Sequence, residues 1–305
     1  MEDNSVRHGS SKDVIIPRRN TASRIDLRFT NRFSVFDVGP VPYEIDGMDK
    51  LRHAIAVKMF EVLGAHAVPT HFIRANRNEH TITAKPFNIY EIDFRVENAT
   101  GKVIPLEIID RQELTAALLD RAETNPELSG KIRSRTTDLT DGAPFSFPLV
   151  ECTTKFEAID RRLSDAEAIK LARLGEPSYA ELCEFVANAS RIVTAFFAKH
   201  GFRRLDGKWE IAITYDGPSF VVVDSYSPDE MRLIGPDGRS YDKDPLRNWY
   251  KTTFPQWIAD LDAAKKRWPD NKDRWPKYPE KMPPEAVLDD LRDRYTAVAQ
   301  AIGAI

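Results

Sequence analysis

The sequence predicts an α+β fold, with short strands concentrated in the first half of the chain and longer helices in the second. Three observations support this class. Apolar runs of strand length alternate with turn residues in the first half, and apolar residues recur at helical spacing over long segments of the second half. With 305 residues, 42% of them hydrophobic, the chain can bury one large core, or two that share a cleft.

In the first half, strands are predicted in the runs DVIIP, RIDLRFT and SVFDVGPVPYEIDG. The pair IYEIDFRV and KVIPLEII, separated by ENATG, predicts a hairpin that feeds a connecting strand. Between these runs, Leu51, Ile55, Met59 and Leu63 recur at helical spacing before Gly64. This segment is therefore predicted to be a helix that packs on the core.

Two further helices are predicted in the second half. The first opens with Ser178 and Glu181 in capping-box spacing, carries a long apolar stripe and stops at Gly201. The second runs from about Glu285 to Ile302, again with apolar residues on one face. Both stripes are of the kind that packs in a core, so neither is assigned any chemistry.

Charge and composition argue against several classes of function. The 44 basic and 47 acidic residues give a formal net charge of −3, so no global field indicates nucleic acid or an anionic membrane as a partner. Cys152 and Cys183 lack metal-ligand spacing and the density of a disulfide scaffold, and the six histidines form no metal or triad motif. The polar start and the lack of membrane-length apolar runs predict a cytoplasmic protein.

The stretch DGKWEIAITYDGPSFVVVDS carries charges along one face of a predicted hairpin. Asp206, Lys208 and Glu210 alternate with residues that include Trp209 and Ile211, as expected of a half-buried strand. The apolar face is predicted to pack on the core, which leaves the charged face for a site or for solvent.

The turn of this hairpin allows two registers. An Asp-Gly two-residue loop pairs Glu210 with Val223, whereas a loop lengthened by Pro218 sets Glu210 opposite Asp224; we prefer the second. Two opposed carboxylates destabilise a sheet unless a cation lies between them, and Mg²⁺ with phosphate oxygens suits such a pair. The alternative is a solvated hairpin edge with a Lys208–Glu210 surface pair that contributes little.

Several ordered blocks resemble the SAICAR synthetase family, the purine-pathway ligases that join aspartate to a carboxylated aminoimidazole ribotide with ATP. TNRFSVFDV resembles the family's TDR-I-S-A-[FY]-D stretch, and PLVECTTKFE resembles its P-x-x-x-P-STKAE segment. DGKWE and DSYSPDEMR are similar to its D-x-K-x-E strand and the strand that follows, YDKDPLRNW to its D-K-D-x-[FY]-R block, and PPEAVLDDLRDRYTAVAQAIG to its closing helix. The blocks keep family order, so the resemblance covers nearly the whole chain.

The resemblance implies a two-lobed fold with an ATP cleft between a sheet-rich N-terminal lobe, residues 1–106, and a mixed C-terminal lobe, residues 107–305. It implies ATP and Mg²⁺ as cofactors, with Glu210 and Asp224 as the metal ligands. The other implied roles fall into three groups: catalytic Lys155, Lys208 and Asp37; nucleotide-binding Gly9, Lys12, Glu107, Lys155, Glu210 and Asp224; and substrate-binding Ser34, Arg111, Arg232, Lys243 and Arg247.

The chain departs from the family pattern mainly around the substrates. Ser10 replaces the first lysine of the nucleotide loop, and Thr115-Ala116-Ala117 stands where the family has A-G-S, so a hydroxyl donor to the ribotide phosphate is missing. Asp160-Arg161-Arg162 stands in the H-D-E-N segment, while Ser225 and Met231 replace an acid and a serine. The arginine pair either draws a more anionic co-substrate into the amine site or points to solvent.

Taken with the resemblance, these residues predict an ATP-dependent ligase that joins a carboxylated azole ribonucleotide to aspartate, or a similar amine, through an acyl phosphate. Two alternatives stay open: a specialised paralogue that uses a different azole nucleotide in nucleoside natural-product biosynthesis, and a nucleotide-binding homologue without ligase activity. The expected partners are small-molecule nucleotide and amino-acid substrates, with no nucleic acid and no membrane, and a homodimer is left open.

Overall fold

The fold is described from a computed structural model, for residues 5–16, 23–217 and 219–305. Within these ranges, the strands in chain order are β1 (Ser5–His8), β2 (Lys12–Ile16), β3 (Ile25–Phe29), β4 (Arg32–Ser34), β5 (Pro40–Glu44), β6 (Phe72–Asn76), β7 (Thr81–Ala84), β8 (Phe87–Asn88), β9 (Gly101–Val103), β10 (Leu106–Glu113), β11 (Pro144–Thr154), β12 (Arg162–Leu163), β13 (Arg203–Thr214), β14 (Phe220–Val223) and β15 (Met231–Ile234). The helices are α1 (Met48–Ala65), α2 (Ala116–Glu123), α3 (Pro126–Arg133), α4 (Asp165–Ala172), α5 (Glu176–Lys199), α6 (Asp244–Thr253), α7 (Pro255–Arg267) and α8 (Glu285–Ala301), with a 3₁₀ turn at Lys272–Arg274. The predicted α+β class is confirmed.

The strands form two large sheets and one small one. The first large sheet has the order β1-β2-β3-β7-β6 and is antiparallel. The second has the order β12-β11-β10-β13-β9-β8, and β14 and β15 also pair with β13. Strands β4 and β5 pair separately. Strand β13 is therefore the hub of the larger sheet, because its first half pairs with β10 and β15 and its second half with β9 and β14.

The core lies where helices α1, α5 and α8 meet the larger sheet. One cluster of buried side chains joins Met59 of α1, Val186 of α5 and Leu291 of α8 to Trp209 and Ile211 of β13. Helix α1 was predicted from its apolar spacing, and Leu51, Ile55, Met59 and Leu63 are indeed buried. No helix in the described part of the chain is both long and apolar enough to span a bilayer.

Two local predictions are wrong. The segments around ENATG do not form a hairpin: β9 pairs with β13 and, in parallel, with β8, because the pairing partners come from elsewhere in the chain. The capping box at Ser178 is not the start of α5, which begins at Glu176 after Gly175 with Pro177 in its first turn. Because the proline ring fixes φ near its helical value, Pro177 favours a helix start before Ser178.

A buried ion pair fastens β10 to β13 beneath the charged face. Asp110 and Arg204 are both fully buried, and Nη1 of Arg204 donates to Oδ2 of Asp110 at 2.7 Å. The same carboxylate accepts hydrogen bonds from Nε1 of Trp209 at 2.6 Å and from the hydroxyl of Ser190 at 2.8 Å. These donors satisfy the buried carboxylate, so the two central strands are held by polar as well as apolar contacts.

The predicted boundary between lobes, at residue 106, stays a prediction. Strands β8 and β9 precede it in the chain but pair into the larger sheet with β13, which follows it.

Candidate active site

A cleft of about 720 Å³ lies beside the charged face of β13. All thirteen residues predicted for the site line it, although they come from widely separated segments: Gly9, Lys12, Ser34, Asp37, Glu107, Arg111, Lys155, Lys208, Glu210, Asp224, Arg232, Lys243 and Arg247. We call this space the cleft. Residues far apart in the chain that gather around one concave space are the usual sign of a binding site.

The turn between β1 and β2 forms one end of the cleft. The backbone N–H of Gly9 donates to the carbonyl of Lys12 at 2.9 Å, and a Cβ added at Gly9 would lie 2.7 Å from that oxygen, so the close approach needs glycine. Nζ of Lys12 lies 2.6 Å from Oδ1 of Asp224 and donates to the Ser225 hydroxyl at 2.6 Å. Burial alone would lower the pKa of Lys12, but Asp224 and Glu230 raise it above its ordinary value, so this ammonium is charged at neutral pH.

Strand β13 presents its charged face to the cleft as its alternation predicts. Lys155, directly after β11, forms an ion pair with Glu210. Lys208 pairs with Glu107 at 2.7 Å and lies 3.8 Å from Asp160. In both lysines burial lowers the pKa less than the neighbouring carboxylates raise it, so both are firmly protonated. The Lys208–Glu210 surface pair offered as an alternative does not form, because each residue has another partner.

The preferred register of the hairpin is wrong. Glu210 pairs with Val223, and the Thr214 N–H donates to the Ser219 carbonyl at 3.1 Å, so the ladder continues without a shift to the turn. Pro218, on which the preferred register rested, lies outside the described residues. Asp224 nevertheless lines the cleft with Glu210. Its φ of 64° turns the backbone away from strand geometry at this point, and a left-handed aspartate is uncommon enough to suggest a functional constraint.

Glu210 and Asp224 suit a metal ion that arrives with a phosphate ligand. Among the described residues no group of three or more His, Cys, Asp or Glu side chains could hold a metal ion by itself. Mg²⁺ is usually held by one or two carboxylates together with substrate phosphates. The donor set therefore fits a nucleotide-borne Mg²⁺ and does not fit a protein-only metal cage.

Two arginines of the cleft share one carboxylate. Nε of Arg232 lies 2.9 Å from Oδ2 of Asp206, and Nη1 of Arg111 lies 3.5 Å from the same oxygen. Arg111 also donates from Nε to Glu151 at 2.7 Å. Burial would raise the pKa of Glu151, but hydrogen bonds from Arg121 and Arg111 lower it to about 2. These guanidiniums are thus held in place by carboxylates.

Lys243 and Arg247, at the start of helix α6, also line the cleft. Nζ of Lys243 lies 3.9 Å from Oδ1 of Asp229 and 5.4 Å from the Phe33 ring centroid. Burial lowers the pKa of Lys243, and the nearby carboxylates offset this only in part. Arg247 pairs with Asp244 at 3.4 Å. An anion bound beside Lys243 would stabilise the charged form of this lysine, which burial disfavours.

The loop between β4 and β5 brings Ser34 and Asp37 to the cleft. Phe36 and Asp37 have φ values of 57° and 59°, a costly conformation for two consecutive residues that carry a Cβ. Nζ of Lys265 lies 3.1 Å from Oδ2 of Asp37. Burial would raise the pKa of Asp37, but Lys265, Lys208 and Lys272 lower it below its ordinary value. The Asp37 carboxylate is therefore ionised at neutral pH.

Sequence reasoning missed some residues of the cleft. Asp229, Glu230 and Lys272 line it, and the first two lie within the DSYSPDEMR block, so that motif was the available signal. Burial, with repulsion from Asp229 and Asp224, raises the pKa of Glu230 to about 7 although Lys12 opposes the shift.

The departures from the family pattern divide between the cleft and its surroundings: Ser10, Asp160 and Met231 line the cleft. Ala116, Ala117, Arg161 and Arg162 are not among its lining residues. Arg161 is half exposed and pairs with Glu157 at 3.2 Å, and the Arg162 side chain is 53% exposed. The prediction that this arginine pair points to solvent fits the structure better than the prediction that it lies at the amine site.

Comparison with known proteins finds relatives in one family. A sequence profile of the SAICAR synthetase family matches residues 6–264. The phosphoribosylaminoimidazole-succinocarboxamide synthase of Thermoplasma acidophilum is 28% identical over 258 residues, 81% of this chain and 83% of that protein. Two solved structures share the fold. The SAICAR synthase of Saccharomyces cerevisiae complexed with SAICAR is 19% identical and superposes with a TM-score of 0.71 over 98% of this chain and 95% of that one. A SAICAR synthetase in complex with ADP is 20% identical and superposes with a TM-score of 0.67 over 98% of this chain and 97% of that one.

Proposed function

The chain belongs to the SAICAR synthetase family, whose members are ATP-dependent carbon–nitrogen ligases, and on this premise we propose that it joins a carboxylated azole ribonucleotide to aspartate, or to a similar amine. The observation that carries the proposal is the convergence of all thirteen predicted residues on one cleft. A relative solved with SAICAR and another solved with ADP support the same classes of ligand.

The Gly9 turn, Lys12 and Lys155 form the proposed nucleotide end of the cleft. Lys12 and Lys155 are held by Asp224 and Glu210, and both are charged at neutral pH. Fixed cations in a partly buried site stabilise phosphate oxygens without reorganisation during the reaction. Glu210 and Asp224 would hold Mg²⁺, which when bound neutralises phosphate charge.

Arg111, Arg232, Lys243 and Arg247 form the proposed ribotide end. Arginine matches the geometry of phosphate with paired N–H donors, and Arg111 and Arg232 are already oriented by Asp206. These four cations line the same cleft as Lys155 and Lys208, so a phosphoribosyl group bound by them would direct its azole carboxylate toward these two lysines.

The proposed reaction has two steps. The azole carboxylate oxygen attacks the γ-phosphorus of ATP, which gives an acyl phosphate and ADP. The amine nitrogen then attacks the acyl carbon, the amide bond forms, inorganic phosphate leaves and the amine loses a proton. Lys155 and Lys208 stabilise the phosphoryl oxygens in both steps, and Asp37 orients the amine.

Coupled ADP release tests this proposal. Purified protein is assayed with MgATP, carboxylated aminoimidazole ribotide and L-aspartate, and each substrate is omitted in turn. We expect ADP only when all three are present, and loss of ADP formation in Glu210→Gln and Asp224→Asn. Asp216→Asn, on the exposed turn of the same hairpin, is the matched control and should behave like the wild type. Nucleotide binding without any ADP formation would favour the homologue without ligase activity.

One observation favours the second candidate, a ligase for a different azole ribonucleotide. At the start of helix α2, the N–H of Ala116 donates to Oδ1 of Asp141 at 2.7 Å, so a carboxylate of the chain occupies a donor that could otherwise bind an anion. Ala117 has no hydroxyl. Helix α2 does not line the cleft, but its Arg121 shares Glu151 with Arg111. A ribotide phosphate bound at Arg111 that reached the start of α2 would therefore be held less well than the family pattern implies.

A panel of azole ribonucleotide carboxylates distinguishes the two candidates. If the purine intermediate gives the highest kcat/KM, the altered helix start is neutral and the second candidate fails. If another azole gives the highest value, the second candidate replaces the first. Ala117→Ser paired with Asp141→Ala should then lower KM for the purine intermediate, because a hydroxyl and a free N–H are restored.

A further inference from the structure

Lys272 belongs to a part of the chain that the family profile does not reach. The profile ends at residue 264, whereas Lys272 lies in the 3₁₀ turn Lys272–Arg274 between α7 and α8 and lines the cleft. The side chain therefore adds to the cleft a group that the family motifs do not account for.

A buried tryptophan holds this lysine and its neighbour in place. Trp275 is 4% exposed, and its Nε1 donates to the Trp268 carbonyl at 2.9 Å. The ammonium groups of Lys265 and Lys272 lie 5.4 and 5.5 Å from the centroid of the Trp275 ring. Because a cation is attracted to an aromatic face at such distances, Trp275 positions both ammoniums at the edge of the cleft.

The two lysines differ in their partners. Lys265 is paired with Asp37 at 3.1 Å. Eight cationic side chains line the cleft: Lys12, Arg111, Lys155, Lys208, Arg232, Lys243, Arg247 and Lys272. Within the described residues, each of the first seven has a carboxylate oxygen within 4 Å, and Lys272 has none. Its charge is available to a ligand.

The surroundings of Lys272 indicate which ligand group this is. The Asp37 carboxylate binds Nζ of Lys265 at 3.1 Å, and Lys265 and Lys272 both lie over the ring of Trp275, so these two ammoniums and one carboxylate share this part of the molecule. The arginines that suit a phosphate are bound instead to Asp206. A zwitterion complements this arrangement, because its carboxylate can bind the unpaired Lys272 while its ammonium shares the Asp37 carboxylate with Lys265.

We propose that Lys272 determines specificity for the amine co-substrate by binding one of its carboxylates, while Asp37 faces its amino group. This assignment rests on the proposed function of the cleft. It assigns the recognition of the amine's carboxylate to a residue of the segment after α7.

Steady-state kinetics of three variants test the assignment. Lys272→Met removes the charge, Lys272→Arg retains it, and Lys266→Met removes the charge of an exposed lysine of α7 that does not line the cleft. KM is measured for MgATP, for the carboxylated aminoimidazole ribotide and for L-aspartate. We expect Lys272→Met to raise KM for aspartate about fivefold, since one exposed ion pair is lost, with kcat and the other two KM values within twofold of wild type. Lys272→Arg should recover most of the loss, and Lys266→Met should show none.

Neutral analogues of aspartate identify the carboxylate. If Lys272 binds the side-chain carboxylate, Lys272→Met lowers the preference for aspartate over asparagine; if it binds the main-chain carboxylate, the variant raises KM for both. An active enzyme whose KM for aspartate is unchanged in Lys272→Met, or in which KM for MgATP or ribotide rises instead, overturns the assignment and leaves the proposed function standing. A wild-type protein that forms no ADP with any amine overturns the proposed function, and the assignment with it.

Discussion

The buried ion pair between Arg204 and Asp110 should dominate the stability of the larger sheet. Both side chains are fully buried, and Arg204 also donates to the hydroxyls of Thr194 at 3.0 Å and of Tyr226. Arg204→Met leaves the Asp110 carboxylate with neutral donors only. Removal of one partner from a buried pair typically costs about 3–5 kcal/mol, because the remaining charge is neither solvated nor paired.

The preceding residue provides a matched control. Arg203 lies on the same strand and pairs with Glu113, but its side chain is 59% exposed, so Arg203→Met should cost about 0–1 kcal/mol. The free energy of unfolding is measured by urea titration, with the m value checked for constancy. We expect the two methionine variants to differ by about 3 kcal/mol.

A second substitution separates loss of charge from loss of packing. Asp110→Asn in the Arg204→Met background removes the uncompensated charge and should recover part of the lost free energy, since an amide needs no cation. If Arg204→Met costs no more than Arg203→Met, the buried carboxylate is satisfied by Trp209 and Ser190 alone and the reasoning is refuted. If Asp110→Asn destabilises the variant further, packing and not charge explains the effect.

Three other outcomes are expected. Glu151→Gln should lower the free energy of unfolding by about 3 kcal/mol near neutral pH, because folding lowers the pKa of Glu151 from 4.5 to about 2. This stabilisation is present above pH 4.5 and is lost as the pH falls toward 2, so the unfolding free energies of wild type and variant should converge in acid. A difference that does not change with pH would contradict the role given to Glu151. Gly207→Ala should destabilise by about 1–3 kcal/mol, because a Cβ there would overlap the Tyr226 hydroxyl; an unchanged urea midpoint would show that the tyrosine moves freely. Gly9→Ala should weaken nucleotide binding, measured by calorimetry, without a change in urea midpoint, because it disturbs only the β1–β2 turn.

The spacing of apolar residues and the order of the motifs were enough to predict strand β13, helix α1 and the residues of the cleft from the sequence. The alternation of Asp206, Lys208 and Glu210 with Trp209 is decided by local sequence, since one face of a strand must be buried and the other must not be. The apolar spacing of α1 has the same origin. The site residues were predicted from ordered motifs, and each predicted residue lines the cleft.

Features that depend on distant partners could not be predicted in this way. The false hairpin around ENATG arose because β9 finds its partner in β13, more than a hundred residues later, and local turn signals carry no information about such pairing. Asp224 reaches the cleft through a left-handed backbone conformation and not through the strand register. Lys272 lies in no motif, and only the packing of Trp275 against its neighbours brings it to the cleft.

The charge balance of the cleft limits how it can recognise its ligands. Its lining includes eight Lys or Arg residues and nine Asp or Glu residues, a formal balance of −1, so net charge does not attract a polyanion. Recognition must come from exchange of partners: a phosphate that takes an N–H of Arg111 or the ammonium of Lys12 competes with a carboxylate already bound there. Such exchange favours ligands that bring a cation for the released carboxylate, as the proposed metal-bound nucleotide would for Asp224, and penalises free anions that do not. Lys272 is the exception, since an anion bound there has no carboxylate to displace.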